Sequence, residues 1–240
     1  MRGIIYRTIP EREVSIRQTT KWHNIQILTN HNFKTMKKIL LTLALIVSTI
    51  SYAQNSTGNN NGHEWVDLGL SVKWATCNIG ADSPEKNGLY FAWGEIVKTY
   101  NHNKNNCKTL GLHIDDISGM SAYDTAKKIW GGSWRMPTMA EFQELLNECK
   151  WIWILDSNSS MGGYKVVGPN GNHIFLPASG YELDAEKEKR GTAGFYWSGT
   201  TEYGNTGDAY ILQIAFVDDE TKSIDFIPRY YGLTIRPVIK

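Results

Sequence analysis

The stretch that decides the fold reads Tyr164-Lys165-Val166-Val167-Gly168-Pro169-Asn170-Gly171-Asn172-His173-Ile174-Phe175-Leu176. Two short runs rich in apolar residues flank the turn-forming segment 168–171. An Asn-Gly pair accommodates positive φ at both central positions of a tight turn, so this stretch is predicted to be a β-hairpin. Antiparallel pairing is therefore expected around it.

Two short helices are predicted upstream of this hairpin. Ser121-Ala122-Tyr123-Asp124 resembles a capping box, and Gly131-Gly132 ends that first helix. Thr138-Met139-Ala140-Glu141 begins the second helix, whose apolar residues lie on one face: Phe142, Leu145, Leu146 and Cys149.

Strands are predicted for most of the remainder, whereas residues 99–119 are predicted to be a loop insertion. Residues 64–76 alternate apolar and polar side chains around a glycine, as in a strand, a turn and a second strand. The other predicted strands are 89–93, 151–154, 195–198, 210–216, 223–226 and 233–238. The fold class is therefore α+β, with two short helices packed with mostly antiparallel β-strands.

Charge separates two parts of the chain. Residues 1–53 carry 8 basic and 2 acidic side chains, whereas residues 54–240 carry 17 and 22. The acidic second part excludes a nucleic-acid-binding footprint there. A hydrophobic content of 41% with only 20% charged residues excludes a mostly disordered chain.

Residues 36–53 have the pattern of a secretory signal peptide. Met36-Lys37-Lys38 precedes the apolar run 39–50, and Ser51-Tyr52-Ala53 offers small residues at a cleavage site. A membrane-spanning helix needs about 20 apolar residues, so this run is too short to be one. A buried core helix is the alternative, but the polar stretch after it disfavours that reading.

The exported chain is therefore expected to be Gln54–Lys240, with no membrane span after cleavage. Residues 54–62 are predicted to be a polar linker and residues 63–240 a single domain. Two explanations remain open for residues 1–35. In the first, translation starts at Met36 and the upstream start is misassigned. In the second, residues 1–35 are an extended basic region of the signal peptide.

Six blocks of residues follow one another in the second part of the chain: Trp65–Ala81, Gly88–Glu95, Trp130–Thr138, Leu176–Tyr181, Tyr196–Thr200 and Arg229–Val238. Together, in this order, they resemble a known family, the Fibrobacter succinogenes major paralogous domain of exported Bacteroides-type proteins. The resemblance implies a C-type-lectin-like fold, in the branch shared with formylglycine-generating enzymes and the variable proteins of diversity-generating retroelements. In those variable proteins the ligand face corresponds to about residues 195–238.

The resemblance therefore implies an exported, noncatalytic recognition module that binds a glycan or a protein through its C-terminal aromatic face. Tyrosine and arginine anchor many interfaces because they give large contact areas at low entropic cost. The candidate ligand-binding residues are Trp197, Tyr210, Arg229, Tyr230 and Tyr231. A place in the core is the alternative for Trp197 and Tyr210. Arg135 and Arg236 are interpreted as members of structural pairs.

Two other functions are kept as alternatives, a metal-dependent oxidase of the formylglycine-generating branch and a structural cell-surface protein. The copper-binding cysteine pair of that branch is lacking, because no cysteine follows Cys149. The histidines His63, His102, His113 and His173 show no metal-ligand spacing and are expected to be solvated. The acidic runs 115–116 and 218–220 are expected to be solvated turns rather than calcium ligands. No cofactor or metal is predicted.

The cysteines are Cys77, Cys107 and Cys149. An oxidising compartment permits a disulfide, for which Cys77–Cys149 is the candidate pair. Buried free thiols that behave as small hydrophobic groups are the main alternative, and a reactive Cys107 is another.

The signal peptide makes a direct prediction about processing. Intact-mass analysis of the chain recovered from outside the cytoplasm should give a protein that begins at Gln54. The precursor that has not been cleaved should begin at Met36 if the upstream start is misassigned. An exported chain that retains residues 36–53 would contradict cleavage after Ala53.

Overall fold

Antiparallel strands dominate the computed structural model, which describes residues 36–37, 57–156, 161–217 and 219–240. The strands are β1 (Thr57–Asn60), β2 (His63–Val66), β3 (Lys73–Ala75), β4 (Lys150–Asp156), β5 (Met161–Val167), β6 (His173–Pro177), β7 (Tyr181–Leu183), β8 (Glu186–Glu188), β9 (Ala193–Trp197), β10 (Asp208–Val217), β11 (Asp219–Pro228) and β12 (Val238–Ile239). The helices are α1 (Thr125–Ile129) and α2 (Met139–Glu148). The predicted α+β class is confirmed.

The strands form four antiparallel sheets. Their strand orders are β1-β2-β3-β12, β11-β10-β9, β4-β5-β6 and β7-β8. The signal peptide predicted over residues 36–53 lies outside the described residues apart from Met36 and Lys37. Within the described residues, we find no helix with the length and apolar character needed to cross a membrane.

The hairpin predicted from residues 164–176 is formed by β5 and β6, but its turn differs from the prediction. Of the two central residues only Gly171 has positive φ, at 88°. Gly168 N–H donates to the Asn172 carbonyl at 2.8 Å, which closes a longer loop. The Asn170 amide instead donates to the carbonyl oxygen of Asp67 at 2.9 Å, so the loop is tied to the β2–β3 connection.

The predicted polar linker 54–62 is wrong over residues 57–62, because these residues form β1 and its turn. β1 pairs with β2 from Thr57↔Val66 to Asn60↔His63. The turn is Asn61-Gly62, with φ of 49° and 85°. Positive φ at both positions is what a two-residue hairpin turn requires. The described fold therefore includes residues 57–62, which precede His63.

Helix α2 agrees with its prediction, and α1 starts later than predicted. Thr138 and Glu141 form a reciprocal capping box at the start of α2, and Phe142 and Leu145 are buried. The N-cap of α1 is Asp124, whose side chain accepts from Lys127 N–H at 2.9 Å. Asp124 also accepts from Met136 N–H at 2.9 Å. This tertiary contact explains why Asp124, rather than Ser121, caps the helix.

Two of the predicted strands are extended segments that pair with each other at a single bridge. Residues 89–93 and 233–238 meet at one antiparallel bridge, Phe91↔Leu233. Their backbones exchange N–H···O bonds at 3.0 Å in both directions. Within residues 233–239, regular strand pairing is found only in β12. The central part of the molecule is therefore held by extended segments rather than by full strands.

Two apolar clusters fill the core. The first contains the fully or almost fully buried Trp93, Trp134 and Trp197, and the second contains Trp74, Tyr164 and Tyr196. Arg135 forms an ion pair with Glu141, as the predicted structural pair requires. Arg236 is also structural, but it is fully buried and bonds to backbone carbonyls and to Asn78 rather than to an acid.

The capping box of α2 gives a stability prediction. Thr138→Ala removes the oxygen that accepts from Glu141 N–H at 3.2 Å and should lower the free energy of unfolding by about 1 kcal/mol. Thr138→Ser keeps that oxygen and should stay near the wild type. Urea unfolding of both variants measures this, and equal destabilisation by Ser and Ala would contradict a capping role.

Candidate functional site

Two of the predicted ligand-binding residues are buried. Trp197 and Arg229 each have 0% of their surface exposed. Trp197 Nε1 donates to the Phe91 carbonyl at 2.8 Å inside the first apolar cluster. Neither side chain is accessible to an external ligand, so both are corrected from ligand contacts to structural residues.

Arg229 organises the surrounding loops through its guanidinium group. It donates to the carbonyl oxygens of Thr109, Leu112, Asn205 and Asp208 at 2.6–3.2 Å. Its carbon Cζ also lies 4.3 Å from the centroid of the Trp93 ring. One buried cation therefore holds together carbonyl groups of two separate segments, 109–112 and 205–208.

Tyr230 and Tyr231 are half-buried and belong to a surface feature that we call the tyrosine strip, formed by Tyr181, Tyr231 and Tyr230. The ring centroids are 5.5 Å apart for Tyr181–Tyr231 and 5.3 Å apart for Tyr231–Tyr230. Tyr210 makes its ring contact elsewhere, edge-to-face with Phe226 at 6.5 Å. Thus the structure joins two of the five predicted residues and adds Tyr181.

Sequence reasoning missed Tyr181 because it lies about fifty residues before the other two tyrosines. One feature of the sequence could have pointed to Tyr181: it ends the block Leu176–Tyr181, one of the six blocks that carry the resemblance. Tyr181 Oη donates to Glu188 at 2.6 Å across the β7–β8 pair. This hydrogen bond, together with burial, raises the pKa of Tyr181 to about 12.

The backbone on each side of the strip is fixed by reciprocal hydrogen bonds. Glu182 and Gly232 exchange two N–H···O bonds of 2.8 Å each, so β7 and the turn 229–232 form one unit. A Cβ atom at Gly232 would lie 2.5 Å from His102 Nδ1. The glycine is therefore needed for the close approach of the His102 ring to this turn.

Below the strip lies a second group, the histidine–carboxylate cluster of Glu95, His102 and Glu182. His102 Nδ1 is 2.8 Å from Glu182 Oε1, and His102 Nε2 is 3.0 Å from Glu95 Oε2. His102 has only 2% of its surface exposed. The expectation of a solvated loop histidine is therefore wrong for this residue, because hydrogen bonds to two carboxylates hold it inside.

The charges of the cluster favour an ionised arrangement. Burial acts to lower the pKa of His102, but hydrogen bonds and charge from Glu95 and Glu182 outweigh it and raise that pKa. Burial acts to raise the pKa of Glu95, but the hydrogen bond from His102 and other donors lowers it overall. A protonated imidazole between two carboxylates is the state that these contacts favour.

The cysteines and the remaining histidines do not join this cluster. Cys77, Cys107 and Cys149 are free thiols in the structure, so the candidate Cys77–Cys149 disulfide is not formed. Burial raises the pKa of Cys149 to about 11. His63 stacks on Trp130 at 3.8 Å, whereas His113 and His173 are exposed. Among the described residues, His, Cys, Asp and Glu side chains form no group of three or more arranged to hold a metal.

Comparison with known proteins leaves the family unassigned. No protein-family model, no curated protein and no solved structure matches this chain.

The histidine–carboxylate cluster predicts a pH-dependent stability. His102→Gln should lower the free energy of unfolding by about 2–3 kcal/mol at pH 6, because a buried charged pairing is lost. Since the native pKa of His102 is raised, its stabilisation is complete below the unfolded value of about 6.5 and is lost as pH rises through the native value. Urea unfolding at several pH values measures this.

The gap between the wild type and His102→Gln should therefore narrow as the pH increases above neutrality. His113→Gln is the matched control, because His113 is exposed, and it should follow the wild-type curve. A gap that stays constant from low to high pH would show that the pKa of His102 is the same in the folded and the unfolded state, and would contradict the prediction.

Proposed function

We propose that this chain is an exported, noncatalytic recognition module that binds a glycan or a protein ligand through the tyrosine strip. We also propose a C-type-lectin-like fold for residues 57–240. The six blocks that resemble the Fibrobacter succinogenes major paralogous domain support both proposals. The α+β arrangement of antiparallel strands with two short helices is consistent with that fold.

The observation that carries the proposal is the tyrosine strip itself. Three rings follow one another at 5.5 and 5.3 Å, partly exposed, on a backbone held by buried side chains. Aromatic faces of this kind offer rigid apolar area with polar tips, which suits the apolar faces of sugars and the contacts of protein partners. Among the described residues, the hydroxyl groups of Tyr230 and Tyr231 have no hydrogen-bond partner in the chain, so both are available to a ligand.

Rigidity strengthens the case for recognition. The turn 229–232 is held from inside by Arg229 and by the two hydrogen bonds between Gly232 and Glu182. A ligand that stacks on the strip therefore meets rings whose backbone is already ordered, which reduces the entropic cost of binding.

One observation favours the structural alternative, in which the chain self-associates at the cell surface. Strand β4 lies at the edge of its sheet and exposes 39% of Ile152, 41% of Ile154 and 63% of Leu155. Exposed apolar edge strands are known sites of pairing between chains. Sedimentation of the full chain distinguishes this alternative, because self-association depends on concentration and ligand recognition does not require it.

The proposed function is tested by a binding screen of the exported chain against a glycan array, with calcium and again with EDTA. The variant Tyr230→Ala/Tyr231→Ala should lose at least about tenfold in affinity for any ligand found. Its free energy of unfolding should fall by only about 1–2 kcal/mol, because both rings are half-buried. Tyr203→Ala is the matched control, since Tyr203 is 91% exposed and lies outside the strip.

Each outcome has a defined meaning. A hit that survives EDTA and is weakened only by the strip variant supports glycan recognition by stacking. Silence on the array, followed by capture of a purified surface protein that the strip variant fails to bind, supports a protein ligand. A hit lost in EDTA, or a ligand bound equally by wild type and strip variant, would refute recognition through the strip.

A further inference from the structure

A groove of about 870 Å³ lies between the outer face of the β4-β5-β6 sheet and the segment 80–88. We call it the sheet groove. Ile154 in β4 pairs with Gly163, and Lys165 follows two residues later in β5. Lys165 pairs in turn with Phe175 in β6, so all four residues share one face of the sheet. The residues between them along β5 and β6 belong to the second apolar cluster, so this face is the one turned away from the core.

The floor of the groove presents an aromatic ring. A Cβ atom at Gly163 would lie 2.4 Å from Phe175 Cζ, so the lack of a side chain at Gly163 lets the Phe175 ring lie across β5. Ile154 is 41% exposed and Phe175 is only half-buried. The floor therefore offers flat apolar area to a ligand rather than to the core.

The walls of the groove carry more positive than negative charge. Lys165 and Arg190 line it, and no acidic side chain of the described residues forms an ion pair with either one. The third lining cation, Lys86, pairs with Asp82 at 2.7 Å. Glu85 is the only described acidic side chain in the lining. Three cations against two carboxylates, with Asp82 counted, leave a net charge of +1 in a domain that is acidic overall.

Arg190 is held in place with part of its guanidinium group unused. In the amide orientation that matches donor with acceptor, Asn87 Oδ1 accepts from Arg190 Nε at 3.0 Å and from Nη2 at 2.9 Å. Asn87 is buried, so these bonds fix the plane of an otherwise exposed side chain. The edge between Nη1 and Nη2 is left for a ligand, and it matches the two oxygens of a carboxylate. The run 186–190 holds two acidic and three basic side chains, so the sequence neighbours of Arg190 do not neutralise it.

We propose that the sheet groove binds an acidic sugar, a glycan unit whose ring carries a carboxylate. Arg190 pairs with the carboxylate, Lys165 adds a second positive charge, and the apolar face of the sugar ring stacks on Phe175. The volume lies in the range of small-molecule sites and exceeds what one carboxylate ion needs. The aromatic floor favours a sugar over an acidic peptide, because aspartate and glutamate side chains have no flat apolar face. None of the residues of the tyrosine strip lines the groove, so this is a second site.

The test measures binding of trigalacturonate to the full chain by ligand-observed NMR. Its uncharged methyl ester and a triglutamate peptide with blocked termini, which has the same number of carboxylates, are the comparison ligands. The wild type should bind trigalacturonate at least about tenfold more tightly than either one. Equal binding of the methyl ester would show that the carboxylate is not recognised, and equal binding of triglutamate would show an unselective anionic contact. Either result, or no binding of trigalacturonate, would overturn the proposal.

Arg190→Gln tests the charged contact. It should lower the affinity for trigalacturonate at least about tenfold while the urea midpoint stays close to that of the wild type, because Arg190 is exposed. Lys189→Gln is the matched control, since Lys189 is exposed, carries the same charge and does not line the groove. It should bind as the wild type does. Equal losses in the two variants would reveal general charge attraction and overturn the assignment to the groove.

Phe175→Leu tests the stacking contact independently of charge. It keeps an apolar side chain in the floor but removes the flat ring, and it should lower the affinity for trigalacturonate by about three- to tenfold. Unchanged binding would overturn the sugar assignment.

The tyrosine strip and the sheet groove fail separately. The Tyr230→Ala/Tyr231→Ala variant should bind trigalacturonate normally, because neither tyrosine lines the groove. On the glycan array, an acidic hit that the strip variant keeps and Arg190→Gln loses reports the groove rather than the strip. Loss of trigalacturonate binding in the strip variant, with Arg190→Gln unaffected, would overturn the groove assignment.

Discussion

Burial of irregular backbone is the constraint on which this structure depends. Regular strands account for much of the chain, yet extended and looped segments cross the centre of the molecule, where water cannot satisfy their carbonyl groups. Two buried arginines meet that need. Arg229 binds carbonyls of the two segments 109–112 and 205–208. Arg236 binds those of Ala75, Thr76 and Phe175 together with Asn78 Oδ1. A guanidinium group suits this role because it carries five donors in a fixed plane.

The sequence predictions that were right concern elements formed by residues close together in sequence. Helix α2 and the β5–β6 hairpin depend on neighbours in sequence, namely the Thr138–Glu141 capping box and the turn 168–172. Local patterns of this kind are visible in one sequence, so the α+β class could be predicted. The Asn61-Gly62 turn was equally local, but its position in a polar stretch led to a linker being predicted instead.

Features decided by distant contacts were not predictable in this way. Arg229 directly precedes two tyrosines in a loop, a setting typical of a binding residue. Only its partners Thr109, Leu112 and Asn205 show that it points inward. His102 lies in an Asn-rich segment, and its burial depends on Glu182, eighty residues away in sequence. Side-chain direction in a loop is set by such partners, and neither periodicity nor composition reports it.

The histidine–carboxylate cluster ties the tyrosine strip to the segment that carries Glu95. Glu182 follows Tyr181 in β7, and His102 bonds to both Glu182 and Glu95. A protonated imidazole bonds to the two carboxylates more strongly than a neutral one. Protonation of His102 therefore strengthens the contacts that hold β7 beside the tyrosine strip, and loss of that proton weakens them.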